Sequence, residues 1–197
     1  MYIITSYYTN NTPYKQVMND YLLKSLKLLG IDYHVEPIRD MGSHQKNANY
    51  KPKFILEEMN KYADKNIVFL DADAEVLQIP VLFDQLKCDI ACHELNWSTW
   101  YNKPSNIKEL LPGTLWVKNN DKMKQFIEEW ADVSENNYKW DGHILQDLLK
   151  QDKSIDFVNL PLEYCYIKTM PNGSLPFIKI DKPFIVHNQV SRLYRKG

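Results

Sequence analysis

Apolar residues crowd the start of the chain, Tyr2-Ile3-Ile4-Thr5-Ser6-Tyr7-Tyr8, and predict a strand that the polar group Thr9-Asn10-Asn11-Thr12 ends in a loop. Thr12-Pro13 reads as the N-cap and first residue of a helix. In it Tyr14, Val17, Met18, Tyr21 and Leu22 recur at helical spacing until Gly30 stops it. Residues 32–38 form a second strand. Strand, helix, strand in that order is the unit of a parallel sheet. The mostly polar stretch 39–50 predicts a long loop without regular structure. Pro52 then begins a helix with Ile55, Met59 and Tyr62 on one face, which leads into Ile67-Val68-Phe69-Leu70. So short an unbroken apolar run is the signature of a strand covered on both faces.

Val76, Leu77 and Ile79 resume the apolar pattern, Pro80 opens a short helix, and residues 89–92 predict another buried strand. Residues 94–112 read as a second long loop, 113–117 as a strand, and Asp121 as the cap of a helix carrying Phe126, Ile127, Trp130 and Val133. A further helix over 140–149 turns Ile144, Leu145, Leu148 and Leu149 inward. The last third, broken by Pro161, Pro171, Pro176 and Pro183, reads as short strands and turns that reach Ile185-Val186-His187. No repeat or linker divides the chain. The pattern predicts one α/β domain over 1–197, a mostly parallel central sheet flanked by helices.

A chain of 197 residues is long enough for one substantial core, burying roughly 70% of the surface its unfolded form exposes. Lys plus Arg number 24 and Asp plus Glu 25, for a formal charge of −1, which argues against nucleic-acid binding by bulk electrostatics. Cys88, Cys92 and Cys165 have no disulfide-framework spacing and point to a reducing compartment. Cys88, Cys92 and His93 lack a second ligand pair at suitable spacing, so these cysteines read as buried thiols and not as a zinc site. Neither a signal peptide nor a membrane span is visible. The expectation is a soluble cytoplasmic protein, or a domain of a longer one.

The chemistry concentrates after the strand at 67–70. Asp71 and Asp73 stand at i and i+2, which share one side of an extended backbone. Two carboxylates at the carboxyl end of a core strand suit a hard divalent cation shared with a substrate's phosphates.

Lys53-Phe54-Ile55, leading through Tyr62 to Phe69-Leu70-Asp71-Ala72-Asp73, resembles the GT-A glycosyltransferases, in particular the family of glycogenin and the bacterial lipopolysaccharide hexosyltransferases. The resemblance implies a single Rossmann-like GT-A domain. It also implies that Asp71 and Asp73, with Ala72 between them, hold manganese or magnesium on the donor's diphosphate, with His187 as third ligand. Lys53 stands where the family places a basic residue near the nucleotide, and Thr5, Tyr7 and Thr9 end the strand that holds base and ribose. Tyr7 stacks on the base or packs in the core. The family's Gly-x-x-Lys-Pro-Trp is absent after His187. Asn188-Gln189-Val190-Ser191-Arg192 stands there, with Arg192 the stand-in for the phosphate-binding lysine.

Trp140-Asp141-Gly142-His143 occupies the place of the family's Asp-Gln pair, with Gly142 where the glutamine belongs. Asp141 is the base candidate if the reaction inverts the anomeric centre; otherwise it positions the acceptor or caps the helix. His143 is the alternative base. Gly113 and Thr114 fall where the family often has Asn-Ser-Gly or Asn-Thr-Gly, the glycine letting a sugar approach the backbone. Trp97, Trp100 and Tyr101 either stack on an acceptor sugar or pack over the core. The implied function is metal-dependent transfer of a sugar from a nucleotide-diphosphate donor, a UDP-sugar first, to a hydroxyl acceptor such as a glycan. Two alternatives stand beside it. One is a non-catalytic nucleotide- or sugar-binding module of the same fold. The other is a phosphatase of the haloacid dehalogenase type, in which Asp-x-Asp follows the first strand.

Overall fold

The computed structural model describes residues 1–102, 104–169 and 178–194. Strand β1 (Tyr2–Thr9) leads to helix α1 (Tyr14–Met18), which passes through a π-helical turn (Asn19–Leu23) into α2 (Lys24–Leu29). Gly30 ends α2 at φ +64°, a left-handed conformation that glycine adopts without steric cost. Strand β2 (Tyr33–Ile38), α3 (His44–Asn49), α4 (Lys51–Lys61) and β3 (Asn66–Leu70) follow. After them come β4 (Ala74–Val76), a 3-10 turn (Val81–Asp84), β5 (Ile90–Asn96), α5 (Trp97–Tyr101) and β6 (Lys108–Val117). The chain continues through α6 (Asp121–Glu135), α7 (Asp141–Gln151), β7 (Phe157–Asn159), β8 (Tyr166–Ile167), β9 (Ile185–His187) and α8 (Ser191–Tyr194).

The main sheet has six strands in the order β2-β1-β3-β6-β5-β7. Only β6 runs against the others, antiparallel to both β3 and β5. A smaller sheet, β4-β9-β8, carries the last of the described strands. Side chains alternate along β3 as a strand covered on both faces requires. Ile67 and Phe69 enter the core under α4, α6 and α7, with Phe54, Ile55, Ile127 and Trp130. Val68 and Leu70 enter the opposite core with Met18, Leu22, Leu26 and Trp116. The α/β class and the mostly parallel sheet expected from the residue pattern are both present.

Four expectations change. Residues 39–50 hold a helix, α3, whose N-cap Ser43 accepts a hydrogen bond from the Lys46 amide. Only Asn49 of α3 is buried, so the helix has no apolar stripe to betray it. The loop expected over 94–112 is largely structured: β5 runs on to Asn96, α5 follows, and β6 begins at Lys108. The register shift between Cys92 and His93 leaves residues 112–114 out of the β5 ladder, which is how Pro112 and Gly113 sit inside a strand. Val133, expected on the inward face of α6, is 38% exposed. Trp140 stands outside α7 as its N-cap residue, with extended backbone.

The three cysteines are free and buried, and the groups of described residues placed to hold a metal include none of them. Among the described residues no helix is long and apolar enough to cross a membrane. Pro171 and Pro176 lie outside the described residues.

A candidate active site at the carboxyl edge of the sheet

Strand β3 stops where the Asp71 amide donates to the Gly113 carbonyl (2.8 Å) and the Asp71 carbonyl accepts from the Ala74 amide (2.9 Å). The two aspartates therefore converge through a tight turn and not along an extended strand, because the chain must reverse there to enter β4. Ala74 of β4 pairs with His187 of β9, which sets the histidine beside the turn. Ligand atoms of Asp71, Asp73 and His187 all lie within 4.8 Å of one another.

Asp73 is tied down. One of its carboxylate oxygens accepts from the Val190 amide (2.9 Å), and its carbonyl accepts from the Asn188 backbone and side-chain amides (both 3.1 Å). His187 is buried, with Nε2 2.8 Å from the Thr114 hydroxyl and Nδ1 3.9 Å from an Asp73 oxygen. Burial opposes an imidazolium there, but the Cys165 thiol and the Asp73 and Asp71 carboxylates outweigh it and hold the ring's pKa up to about 10. A proton and a divalent cation would thus compete for this ring. The donor set of two carboxylates and one imidazole fits manganese or magnesium. The space fits too: a Cβ at Gly113 would stand 2.7 Å from Asp71 Oδ2 and 3.0 Å from His187 Cε1, so only glycine leaves the cluster clear.

Behind Asp71 lies a lysine that sequence reasoning missed. Lys51, in the first turn of α4, is buried, with Nζ 2.6 Å from Asp141 Oδ2 and 3.2 Å from Asp71 Oδ1. It also donates to the Pro112 carbonyl (3.2 Å) and lies 5.0 Å from the centre of the Phe69 ring. Burial would strip its proton, but Asp141 and Asp71 more than reverse this and keep it an ammonium. Lys53, the basic residue expected from sequence, lies on the exposed side of α4. Asp141 is the first residue of α7 and not its N-cap, which is Trp140, and its carboxylate meets Lys51. Gly142 has a steric reason: a Cβ there would stand 2.7 Å from the Leu110 carbonyl oxygen and 3.0 Å from Pro112, so a glutamine would force α7 away from β6. The glycine lets α7 lie directly on β6.

These groups sit between two lobes of one cleft, and Lys51, Asp71, Trp140, Asp141 and Gln189 line both. The first lobe includes Tyr7, Thr9, Tyr14, His44, Ala72 and Asp73. Tyr7 shows it only part of a ring packed against Tyr50, Phe54 and Phe69, and its hydroxyl donates to the Asn47 carbonyl (2.7 Å). The Thr9 hydroxyl bonds that of Thr12 (2.7 Å). Thr5 is fully buried in β1, its hydroxyl without a partner among the described residues, and it lines neither lobe. The Arg192 guanidinium donates to the Thr169 carbonyl, and the cleft-lining residues near it are Gln189 and Ser191.

Gly113 and His143 line the second lobe, with Thr114 buried beneath beside His187. Trp97, Trp100 and Tyr101 do not line either lobe. They build a separate small core with Leu95 and Ile167, in which Trp100 is 2% exposed. Of the alternatives weighed for them, packing is what the structure displays. The aromatic side chain that lines both lobes is Trp140, 37% exposed. A second acidic cluster, His34, Glu36 and Glu58, is already served by Lys61, whose Nζ lies 2.9 Å from Glu36 and 2.8 Å from His34. It ties β2 to α4.

A mostly parallel sheet with one reversed strand thus bears a carboxylate and imidazole cluster at its carboxyl edge. No family model and no curated protein sequence matches the chain. Solved structures do. A glycosyltransferase involved in glycosylating the major capsid of PBCV-1 is similar at a TM-score of 0.65 and 14% identity, over 98% of this chain and 95% of that one. Mouse xyloside xylosyltransferase 1 in its apo form matches at 0.57 and 11% identity, over 97% and 98%. The bifunctional glycosyltransferase WbbM matches at 0.64 and 13% identity, over 95% of this chain and 45% of its own. The likeness establishes a GT-A-like glycosyltransferase fold. The aspartate pair follows β3, whereas the phosphatase alternative has it after the first strand.

Proposed function

We propose that the protein is a divalent-metal-dependent glycosyltransferase, moving a sugar from a nucleotide diphosphate donor, a UDP-sugar first among them, to a hydroxyl acceptor on a glycan. The observation that carries this is the convergence of Asp71, Asp73 and His187 within 4.8 Å in a cleft that also buries the Lys51–Asp141 pair. The fold resembles that of a glycosyltransferase involved in glycosylating the major capsid of PBCV-1 and that of mouse xyloside xylosyltransferase 1. Three buried free cysteines fit a cytoplasmic setting for this chemistry.

Asp71, Asp73 and His187 would hold manganese or magnesium, which when bound supplies Lewis-acid stabilisation to the charge on the departing diphosphate. The first lobe takes the nucleotide, with Thr9 and Tyr14 on its wall. Lys51 keeps a fixed positive charge beside Asp71, in a site where water does not screen it. Asp141 is oriented by Lys51 at the junction with the second lobe, where it positions the acceptor hydroxyl. Gly113 keeps the cluster open to the donor sugar.

The test is thermal unfolding with a panel of nucleoside diphosphates and nucleotide sugars, with manganese and with chelator, followed by donor turnover. A ligand at a hundred times its Kd stabilises by about 2.7 kcal/mol, a readily measured shift in Tm. Metal-dependent stabilisation by one nucleotide together with turnover supports the proposal. Stabilisation without turnover identifies a binding module of the same fold. The absence of any shift with metal present overturns both.

A further inference from the structure

The second lobe differs in character from the first. Its lining includes Glu109, Pro112, Trp140, His143 and Gln189, with Asp71 and His187 at its floor. Lys51 is the only lysine or arginine among the described residues lining it, and its charge is committed to Asp71 and Asp141. Lys108 is turned away to Glu94 at 2.7 Å. Among the described residues Glu109 has no lysine or arginine in an ion pair with it; the basic group recorded beside it is His143, a loose 3.7 Å away. Away from the Asp71 and His187 end, an anionic acceptor entering this lobe meets the Glu109 carboxylate and, among the described lining residues, no uncommitted lysine or arginine. A neutral hydroxyl-bearing molecule meets acceptor oxygens for its hydroxyl protons.

The lobe is also preorganised. The Trp97 indole N–H donates to one Glu109 oxygen (3.0 Å), fixing the carboxylate. Gln146 of α7 accepts from the Leu110 amide (3.3 Å) and donates to the Lys108 carbonyl (3.0 Å). Glu109 on β6 and the Trp140–His143 segment at the start of α7 are thereby held at fixed separation. Trp140 offers a flat, partly exposed indole at the junction of the lobes. Such a surface suits the C–H face of a pyranose ring, whose hydroxyls then point outward to polar groups.

We infer that this lobe is an acceptor subsite for an uncharged pyranoside, with the sugar's apolar face on Trp140 and its hydroxyls donated to Glu109, whose orientation Trp97 sets. The inference rests on the glycosyltransferase reading above and names its acceptor class.

The experiment uses the full chain, manganese and the donor nucleotide sugar found in the stabilisation panel. Acceptors are matched alkyl pyranosides in neutral, uronic-acid and 6-phosphate forms, with KM and kcat measured separately. Saturation-transfer NMR with the neutral pyranoside gives a direct reading of binding. The expected result is a kcat/KM for the neutral form roughly tenfold or more above either anionic form, a preference that Glu109→Gln narrows and Glu109→Lys reverses. Trp140→Ala raises the neutral acceptor's KM by roughly tenfold, and Trp140→Phe, the safer variant for folding, by less. Equal or better use of the anionic forms, or an acceptor KM indifferent to Trp140 and Glu109, overturns the inference. If the wild-type protein shows the metal-dependent nucleotide shift but neither binds nor glycosylates any neutral pyranoside, the acceptor assignment alone fails. If it shows no such shift, the glycosyltransferase reading fails and takes this inference with it.

Discussion

Lys51 Nζ and Asp141 Oδ2 stand 2.6 Å apart with both side chains largely shut off from water. The pair ties the first turn of α4 to the first turn of α7. Without the lysine, Asp141 would be a buried charge with no compensation. Lys51→Ala should therefore cost about 3–5 kcal/mol of stability, measured by urea unfolding. The double variant Lys51→Ala with Asp141→Asn should cost less than the sum of the single changes, because the second substitution removes the charge the first one stranded.

Asp71 and Asp73 should separate in their effects. The Asp71 side chain is 43% exposed, whereas Asp73 is 10% exposed and accepts from the Val190 amide. Asp71→Asn should leave Tm near that of the parent, abolish the manganese-dependent nucleotide shift and lower turnover roughly a hundredfold. Asp73→Ala should lose the same functions and also about 1–3 kcal/mol of stability, since the Val190 amide is left buried without an acceptor.

Two glycines test two different kinds of close approach. A Cβ at Gly113 would press on Asp71 and His187, so Gly113→Ala should weaken manganese binding, read by calorimetry, and cut turnover roughly tenfold. A Cβ at Gly142 would press on the Leu110 carbonyl, which is backbone and gives way only if α7 lifts from β6. Gly142→Ala should therefore lower stability by about 1–3 kcal/mol.

Acid stability should depend on Asp89. Burial pushes its carboxyl up, but the Lys122 ammonium at 2.6 Å and the Asp156 amide at 3.0 Å outweigh burial and hold it below its ordinary value. A carboxyl depressed in the folded state contributes its full stability above its unfolded pKa and loses it as pH falls through the folded one. Urea midpoints should thus show a constant gap between the parent and Asp89→Asn at neutral pH, narrowing below about pH 4. A gap that stays constant into that acid range would refute the assignment.

The apolar runs made most of the sheet legible, because β1 and β3 are covered on both faces and write their burial into consecutive residues. What escaped depends on polar bonds or on tertiary position. Helix α3 is announced only by its Ser43 cap. Lys51 lies one turn before Phe54 and Ile55 and hence on their buried face, whereas Lys53 is on the exposed side of α4. The helical period of α4 thus puts Lys51, and not Lys53, on the face that lines the cleft. Trp97, Trp100 and Trp140 are indistinguishable as residues; only the path of α5 and the start of α7 decides which indole meets the cleft.

The order of the strands along the chain gives the site a history during synthesis. Every strand of the six-stranded sheet, and with them Asp71, Asp73, Lys51 and Asp141, precedes β9, which brings His187 by pairing with β4. A ribosome-bound chain exposed only as far as β7 already contains every strand of that sheet and both partners of the lysine bridge, but lacks His187, the third member of the cluster. On the proposed reading of the cluster as a metal site, divalent-ion retention would be the last property of the cleft to be acquired, and it would report that β9 has paired with β4.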